Sequence, residues 1–389
     1  MIALKSVNQS HRCTEFVTLM DEFRHMVNEA IRVGIDKKIT SKIKLRNELY
    51  HRFKNEFHTS YISMAVFKSH ALLKSYRRTL RTNPCTKKPY VSKNFLIIDS
   101  YIYKISHNHI KIPTRPREFV IMPLNDYVAK VLSEKGLKLG NITLTKNEIS
   151  ISLSKQVEKR IPAGFIGIDT NLKNSTCVDD IGKVSVIDMS KIVTMKIRYR
   201  EVLSHFTRND VRIQKKLKIK YGQKQKNKED AFLHEESNKA VSSRKQIILE
   251  NLNGMKKLYK KGNGQGRRFR FLLNSWSRFK LHKMMDYKSR WRNGFSVIYV
   301  NPKGTSSKCS ICEAKVLEER RIVSCPRCGL YIDRDVNAAR NILARGMQFV
   351  PDALASEAMV QKSALAENLK VDASELHFGT AKTAPELYI

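Results

Sequence analysis

The chain has 389 residues, and its 73 lysines and arginines exceed its 36 aspartates and glutamates to give a formal charge of +37. Its length predicts two or three domains, and a hydrophobic content of 41% is enough to fill their cores, which excludes a wholly disordered chain. The positive charge favours a nucleic-acid partner over a membrane surface, because no stretch approaches the roughly 20 apolar residues of a spanning helix. The start has no signal-peptide pattern, and we expect an intracellular, cytoplasmic protein.

The first 160 residues change character once along the chain. Residues 15–80 repeat apolar side chains at steps of three and four with basic residues between them, which predicts a helical module. From about residue 85 to 160, prolines and glycines separate short β-prone runs, which predicts a small β-barrel or sheet. These runs are Phe95 to Ile98, Val120 to Met122, Ile142 to Leu144 and Ile149 to Leu153.

Beyond Gly164 the pattern predicts three adjacent antiparallel strands, a helix, a strand, a helix and a strand. The strands are Phe165 to Asp169, Ser175 to Val178, Val184 to Asp188, Gln246 to Glu250 and Phe295 to Val300. Two basic helical stretches, 191–228 and 256–292, each carry 13 lysines or arginines. We expect the first to break at Gly222 and the second to bury Leu273, Trp276 and Phe279 on one helical face. A last helix is predicted from Val336 to Met347, with a weakly structured tail at 349–389.

This order of strands and helices is that of an RNase H-like nuclease core. Three carboxylates lie at the positions where such a core needs them for catalysis. Asp169 ends the first strand, Glu250 ends the fourth, and Asp335 is expected just before the last helix. Such groups can together bind two Mg²⁺ ions for phosphodiester hydrolysis. Asp333 is a rival to Asp335; we favour Asp335 as the ligand and Asp333 as a helix cap or supporting group.

Four of the seven cysteines have the spacing of a structural zinc site. Cys309-x2-Cys312 is followed, after twelve residues, by Cys325-x2-Cys328. Four thiolates close a tetrahedral Zn²⁺ site without an open position, so the ion would fold a ribbon and take no part in chemistry. The other three cysteines stand alone and are interpreted as small hydrophobic residues.

Taken together, these motifs resemble the TnpB family, the insertion-sequence nucleases related to type V CRISPR effectors. The resemblance covers about residues 164–345. The matching segments are Gly167-Ile168-Asp169, Ile248-Leu249-Glu250-Asn251-Leu252, Val300-Asn301-Pro302, Thr305 to Cys312, Cys325-Pro326-Arg327-Cys328-Gly329 and Asp333 to Ile342.

The resemblance implies a multidomain α/β protein whose RNase H-like (RuvC) nuclease core spans 161–304 and 333–348, with a zinc ribbon inserted at 305–332. It implies a helical recognition domain at 15–84, inserted into a wedge-type β-barrel at 1–14 and 85–160. The implied activity is cleavage of target DNA, directed by a transposon-encoded guide RNA and dependent on two Mg²⁺ ions. A monomer is favoured. Arg321 is at a position where the family often has an arginine beside the active site, which would neutralise the scissile phosphate.

Two segments depart from the family pattern, and other functions stay open. Thr170-Asn171-Leu172-Lys173 replaces the small residues that usually follow the first acid, and residues 232–237 match the usual His-x-x-Ser segment only loosely. A miniature type V CRISPR effector would share the same core. A catalytically silent RNA-guided DNA-binding repressor is expected to have lost an acid, and a guide-independent resolvase-like nuclease would have no use for the first 160 residues.

Overall fold

The computed structural model describes residues 1–106, 108–115, 117–206, 210–253, 264 and 266–349. They form two compact units, one of residues 2–156 and one of Met1 with residue 157 onward. Every helix in these described ranges is too short or too polar to cross a membrane. The tail predicted at 349–389 lies, except for Phe349, outside the described residues.

The first unit combines helices with two antiparallel sheets. Its elements are β1 (Ile2–Ser10), α1 (Phe16–Asp36), α2 (Lys42–Phe53), α3 (Thr59–Leu80), β2 (Phe95–Ile98), β3 (Lys104–Ser106), β4 (His109–Arg115), β5 (Glu118–Pro123), α4 (Asp126–Leu132), β6 (Leu137–Thr145) and β7 (Glu148–Gln156). The strand orders are β1-β7-β6-β2 and β3-β4-β5. The predicted helical stretch followed by a β-rich stretch is therefore confirmed, and α1 to α3 lie in the sequence between two strands of one sheet.

The second unit contains a five-stranded mixed sheet. Its elements are β8 (Phe165–Thr170), β9 (Asn174–Asp179), β10 (Val184–Asp188), α5 (Ser190–His205), α6 (Val211–Ser242), β11 (Gln246–Glu250), α7 (Arg267–Ser275), α8 (Arg278–Asn293), β12 (Ile298–Val300), β13 (Leu317–Glu319), β14 (Ile322–Ser324), β15 (Tyr331–Asp333) and α9 (Arg334–Met347). The sheet order is β10-β9-β8-β11-β12. The three antiparallel strands β8 to β10 are as predicted, and β11 and β12 run parallel to β8 and to each other.

Alternation along the strands divides this sheet into two buried faces. Ile168 and Leu249 point to one side, where α6 and α8 cover them with Leu233, Val241, Leu281 and Met285. Phe165 and Ile248 point to the other side, where α9 covers them with Ala339, Ile342 and Leu343. The same alternation assigns the remaining side chains of these strands to one face or the other, and it therefore determines the face on which the candidate site lies.

Gly167 allows α9 to lie very close to the sheet. A Cβ at this position would come within 2.7 Å of the backbone nitrogen and the Cβ of Leu343, and closer still to the carbonyl oxygen of Ala339. On the helix side, a Cβ at Gly346 would likewise lie too close to the side chain of Ile248. Two glycines on opposite partners therefore set the spacing between α9 and the sheet.

Several predicted boundaries were wrong. Helix α6 passes through Gly222 without a break, because a single exposed glycine costs a helix only about 1 kcal/mol. Helix α7 ends at Ser275 and α8 begins at Arg278, so Leu273, Trp276 and Phe279 do not share one helical face. The last strand of the sheet, β12, is half the length predicted for it.

Candidate functional site

Asp169 and Glu250 emerge side by side from the middle of the mixed sheet. They directly follow Ile168 and Leu249, which are paired residues of the neighbouring parallel strands β8 and β11. By alternation, Asp169 shares a face with Gly167, and Glu250 shares it with Ile248; this is the face that α9 covers. Both side chains are buried. Asp169 is the penultimate residue of β8, one position earlier in the strand than predicted.

Helix α9 brings the third carboxylate to the same face. Asp333 caps the helix, since its side chain accepts hydrogen bonds from the backbone nitrogens of Asp335 (2.8 Å) and Val336 (3.2 Å). The prediction that Asp335 precedes the helix was therefore wrong: Asp335 lies in the first turn and is 4% exposed. Helical geometry, set by the Asp333 cap, then directs Asp335 toward the strands.

The electrostatics of Asp169 reflect the other two acids. Burial, together with the negative charges of Glu250 and Asp335, raises the pKa of Asp169 to about 7. Burial also raises the pKa of Glu250, although a hydrogen bond from Thr305 opposes the shift. Nearby arginines offset part of this charge, but burial still raises the pKa of both Asp169 and Glu250, and a divalent cation bound between the carboxylates would relieve that cost.

The oxygen donors of this group fit Mg²⁺, but the three acids do not form a compact cluster like that of the four cysteines. Among the described residues, the four cysteines are the one group of three or more acids, histidines or cysteines whose ligand atoms all lie within 4.8 Å of one another. Three carboxylates around two ions about 3.5–4 Å apart need not meet that spacing. Carboxylate oxygens are the hard ligands that Mg²⁺ prefers.

Polar neighbours orient each carboxylate. The Asn171 side chain donates a hydrogen bond to Asp169 Oδ2 at 2.8 Å, and the Asn174 side chain donates to Asp335 Oδ2 at 3.4 Å. The Thr305 hydroxyl donates to Glu250 Oε1, and its backbone carbonyl accepts from Asn341 at 2.7 Å. We did not predict these roles. Thr305 and Asn341 lie within the motif segments, but nothing in their spacing indicates which atoms they contact.

Arg321 lies beside the acids. It is the second residue of the β13–β14 turn, where Arg320 and Arg321 have φ angles of 47° and 71°. The guanidinium forms an ion pair with Asp335 Oδ2, and the side chain is 58% exposed while that of Asp335 is 6% exposed. The hairpin therefore places a cationic group at the solvent side of the acidic group.

The four cysteines come together as two facing pairs. Cys309 and Cys328 have their sulfurs 3.4 Å apart, and Cys312 and Cys325 have theirs 3.5 Å apart. Four sulfurs at Zn–S bonds of about 2.3 Å lie about 3.8 Å apart in a tetrahedron, so a small expansion accommodates the ion. The strands β13, β14 and β15 form a three-stranded sheet in the same segment. The donor set and its geometry fit structural zinc.

Comparisons with known proteins identify the family of the chain. The family model "Cas12f1-like, TNB domain" matches residues 276–342, and the model "Uncharacterized protein MJ0013 family" matches residues 19–113. The chain is 30% identical over 264 residues to the TnpB-like protein MJ0751 of Methanocaldococcus jannaschii. The matched region covers 63% of this chain and 93% of that protein. The chain belongs to the TnpB-like family.

More distant relatives extend the comparison. A candidate RNA-guided DNA endonuclease of Streptomyces pristinaespiralis is 32% identical over 120 residues, 30% of this TnpB-like chain and 28% of that protein. The solved structure of the mini-RNA-guided endonuclease CRISPR-Cas_phi3 has 10% identity and a TM-score of 0.52, and the match covers 89% of this chain and 92% of that one. The latter shows a shared mixed α/β fold.

The two departures from the TnpB pattern have structural roles. Thr170 and Asn171 follow the first acid; the Thr170 hydroxyl lies 3.0 Å from His282 Nε2, and Asn171 contacts Asp169. In the loosely matching segment, Lys288 Nζ donates to the His234 carbonyl oxygen at 2.8 Å and to Ser237 Oγ at 2.7 Å. That segment therefore fixes α8 against α6 around a buried lysine.

The first half of α6 forms an exposed basic surface, which we call the basic arm and define as residues 211–228. It carries seven lysines and one arginine without an acid, and all eight are exposed; they are Arg212, Lys215, Lys216, Lys218, Lys220, Lys224, Lys226 and Lys228. The first buried residue of α6 is Leu233. At a rise of about 1.5 Å per residue, the basic arm is about 27 Å long, a geometry suited to contacts with several phosphates.

Proposed function

We propose that this TnpB-like protein is an RNA-guided DNA endonuclease. A transposon-encoded guide RNA would select the target DNA by base pairing, and the protein would hydrolyse a phosphodiester of that DNA. The observation that carries the proposal is that Asp169 and Glu250 leave adjacent strands on the face covered by α9, whose first turn carries the buried Asp335. The names of the S. pristinaespiralis relative and of the CRISPR-Cas_phi3 structure support the RNA-guided activity.

In this proposal the three acids are the ligands of two Mg²⁺ ions. Bound by these residues, the ions would supply activation of water for in-line attack and charge stabilisation of the leaving 3′ oxygen. Asn171, Asn174 and Thr305 hold the carboxylates in place through the hydrogen bonds described above. Arg321, half-exposed and already paired with Asp335, is assigned to neutralise the scissile phosphate. Cys309, Cys312, Cys325 and Cys328 would hold one structural Zn²⁺.

Nucleic acid is assigned to the basic surfaces of both units. The basic arm presents eight exposed positive charges, and neutralising phosphates on this scale makes affinity fall steeply with salt. The domain layout stays as proposed: wedge-type module at 1–14 and 85–160, recognition domain at 15–84, RuvC-like core at 161–304 and 333–348, zinc ribbon at 305–332. A guide RNA and a target DNA are thus the partners, with the protein acting as a monomer.

The first test identifies the RNA and then the reaction. RNA that copurifies with the full-length protein is sequenced, and a plasmid matching its variable segment is incubated with the complex and Mg²⁺. A discrete RNA with a variable 3′ segment, and cleavage at the matching site, support the proposal. Random cellular RNA with cleavage independent of sequence would favour a guide-independent resolvase-like nuclease, and guided binding without cleavage would favour a silent repressor.

The second test assigns the acids. Asp169→Ala and Glu250→Ala should each lower cleavage at least about a thousandfold while RNA affinity stays within twofold of wild type, because each removes a metal ligand and leaves the basic arm intact. Glu235→Gln is the matched control, since Glu235 is an exposed acid that pairs with Lys239 on α6. Equal loss of cleavage and RNA binding in folded Asp169→Ala protein would contradict the assigned roles.

A further inference from the structure

The turn between α7 and α8, taken as residues 276–278 so that it includes the first residue of α8, contacts the chain just beyond both strands that carry acids. The Trp276 indole nitrogen donates a hydrogen bond to the Asn171 carbonyl oxygen at 2.9 Å. The Arg278 guanidinium donates to the Leu252 carbonyl oxygen at 3.1 Å. Asn171 lies two residues after Asp169, and Leu252 lies two residues after Glu250. One short turn therefore contacts the exits of β8 and β11 at equivalent positions.

The two side chains of this turn are also held to each other. The guanidinium carbon of Arg278 lies 4.5 Å from the centre of the Trp276 ring and 4.4 Å from that of Phe279. Arg278 is 1% exposed. A desolvated guanidinium stacked between two aromatic rings has few alternative positions, since stacking and hydrogen bonding both fix its plane. The link between the two strand exits is therefore rigid.

Hydrogen bonds also anchor this turn to α5 and α6. The Ser277 hydroxyl donates to Glu229 Oε1 at 2.7 Å, and Lys196 Nζ donates to Ser277 Oγ at 2.8 Å. Lys196 and Glu229 form a buried ion pair of 2.9 Å, with side-chain exposures of 6% and 13%. Buried charges that are paired and hydrogen-bonded resist displacement. The position of Trp276 and Arg278 is thus set by the packed helices.

We propose that Trp276 and Arg278 form a clamp across the exits of β8 and β11 that fixes the separation of the Asp169 and Glu250 carboxylates. Trp276 acts through Asn171, whose carbonyl it binds and whose side-chain amide donates to Asp169 at 2.8 Å. Arg278 acts through the backbone that follows Glu250. Both are positioning residues, and the inference rests on the proposed function because it takes the two acids as metal ligands.

The test measures divalent-ion binding without relying on cleavage. Mn²⁺ affinity of the full-length, zinc-loaded protein is measured by electron paramagnetic resonance, and thermal stability is recorded alongside. Trp276→Phe keeps an aromatic ring for Arg278 and removes the indole donor, so we expect about fivefold weaker Mn²⁺ binding, the effect of one hydrogen bond of about 1 kcal/mol. Trp291→Phe, at the far end of α8, is the matched control and should leave Mn²⁺ affinity unchanged.

A double-mutant cycle separates positioning from a general loss of structure. In an Asn171→Ala background the connection from Trp276 to the carboxylate is absent, so adding Trp276→Phe should change Mn²⁺ affinity by less than twofold. If the second substitution again weakens binding about fivefold, Trp276 acts on the site by another route and the clamp is refuted. Arg278→Lys keeps the charge near Glu250 but loses the planar fork, and should weaken Mn²⁺ binding by a similar factor.

Two controls distinguish failure of the clamp from failure of the proposed function. Asp169→Ala and Glu250→Ala should abolish specific Mn²⁺ binding. If they do so and Trp276→Phe binds Mn²⁺ like the wild type, the clamp is wrong and the metal site stands. If the two alanine variants bind Mn²⁺ normally, the metal assignment itself is wrong, and the clamp fails with it.

Discussion

Replacing Gly167 by alanine tests whether the close approach of α9 builds the acidic site. The added Cβ would lie 2.7 Å from the Leu343 nitrogen and Cβ, below the 3.0 Å that real Cβ contacts keep, and closer still to the Ala339 oxygen. These neighbours are mainly backbone atoms of a packed helix, so no side chain can rotate away. Overpacking of a core costs about 1–3 kcal/mol, and we expect Gly167→Ala to fall at about 2–3 kcal/mol.

Urea denaturation, monitored by tryptophan fluorescence, measures the loss of unfolding free energy in the second unit. Both tryptophans, Trp276 and Trp291, lie in the second unit, so the signal reports its unfolding. Gly222→Ala is the matched control: its Cβ would meet open space in the exposed part of α6, and the free energy of unfolding should rise by about 0.5–1 kcal/mol. Because α9 carries Asp335, Gly167→Ala should also weaken Mn²⁺ binding about tenfold.

The result that refutes this reasoning is specific. If Gly167→Ala unfolds at the wild-type urea concentration with the same slope, then α9 either tolerates the methyl group or does not lie where the structure places it. If stability falls but Mn²⁺ affinity is unchanged, the position of Asp335 does not depend on this contact. Zinc content should stay at the wild-type value in either case, because the three atoms nearest to the added Cβ all belong to α9 and none belongs to the cysteine cluster.

Two further changes test other parts of the second unit. Cys309→Ser should reduce bound zinc from one ion per chain to none and lower thermal stability, and normal zinc by metal analysis would contradict the ribbon. Burial, with a smaller contribution from the charge of Arg278, lowers the pKa of His282 to about 4 from an ordinary 6.5. Below pH 6.5 the unfolded chain therefore binds a proton at this histidine that the folded chain does not, and the contribution of His282 to the free energy of unfolding should fall by about 2 kcal/mol between pH 7 and pH 5, while the raised pKa of Asp169 acts in the opposite direction. His282→Gln should lose that part of the pH dependence in urea denaturation, and an unchanged slope would show that His282 is not held neutral.

The sequence allowed the strands of the second unit to be predicted well because their pattern is local. The bounds of β10 and β11 match the prediction, since each is a short apolar run ended by an acid and followed by a turn or polar segment. Helix boundaries were harder to predict. The cap at Asp333 and the turn at Trp276 depend on which donors and acceptors meet after folding, and helix propensity does not carry that information.

The candidate acids could be predicted from the sequence, but the residues that hold them in place could not. The order of strands and helices is that of an RNase H-like core, in which carboxylates at strand ends and a helix start bind metal, so Asp169, Glu250 and Asp335 could be proposed from element order alone. Trp276 looked like a core residue because its spacing from Leu273 and Phe279 fits a helix, and only the break at residues 276–277 directs its indole to the Asn171 carbonyl. A buried aromatic residue becomes a positioning residue when it donates a hydrogen bond to the backbone carbonyl of a segment far away in the sequence. Hydrophobic periodicity records which side chains are buried, and it contains nothing about which carbonyl a buried donor reaches.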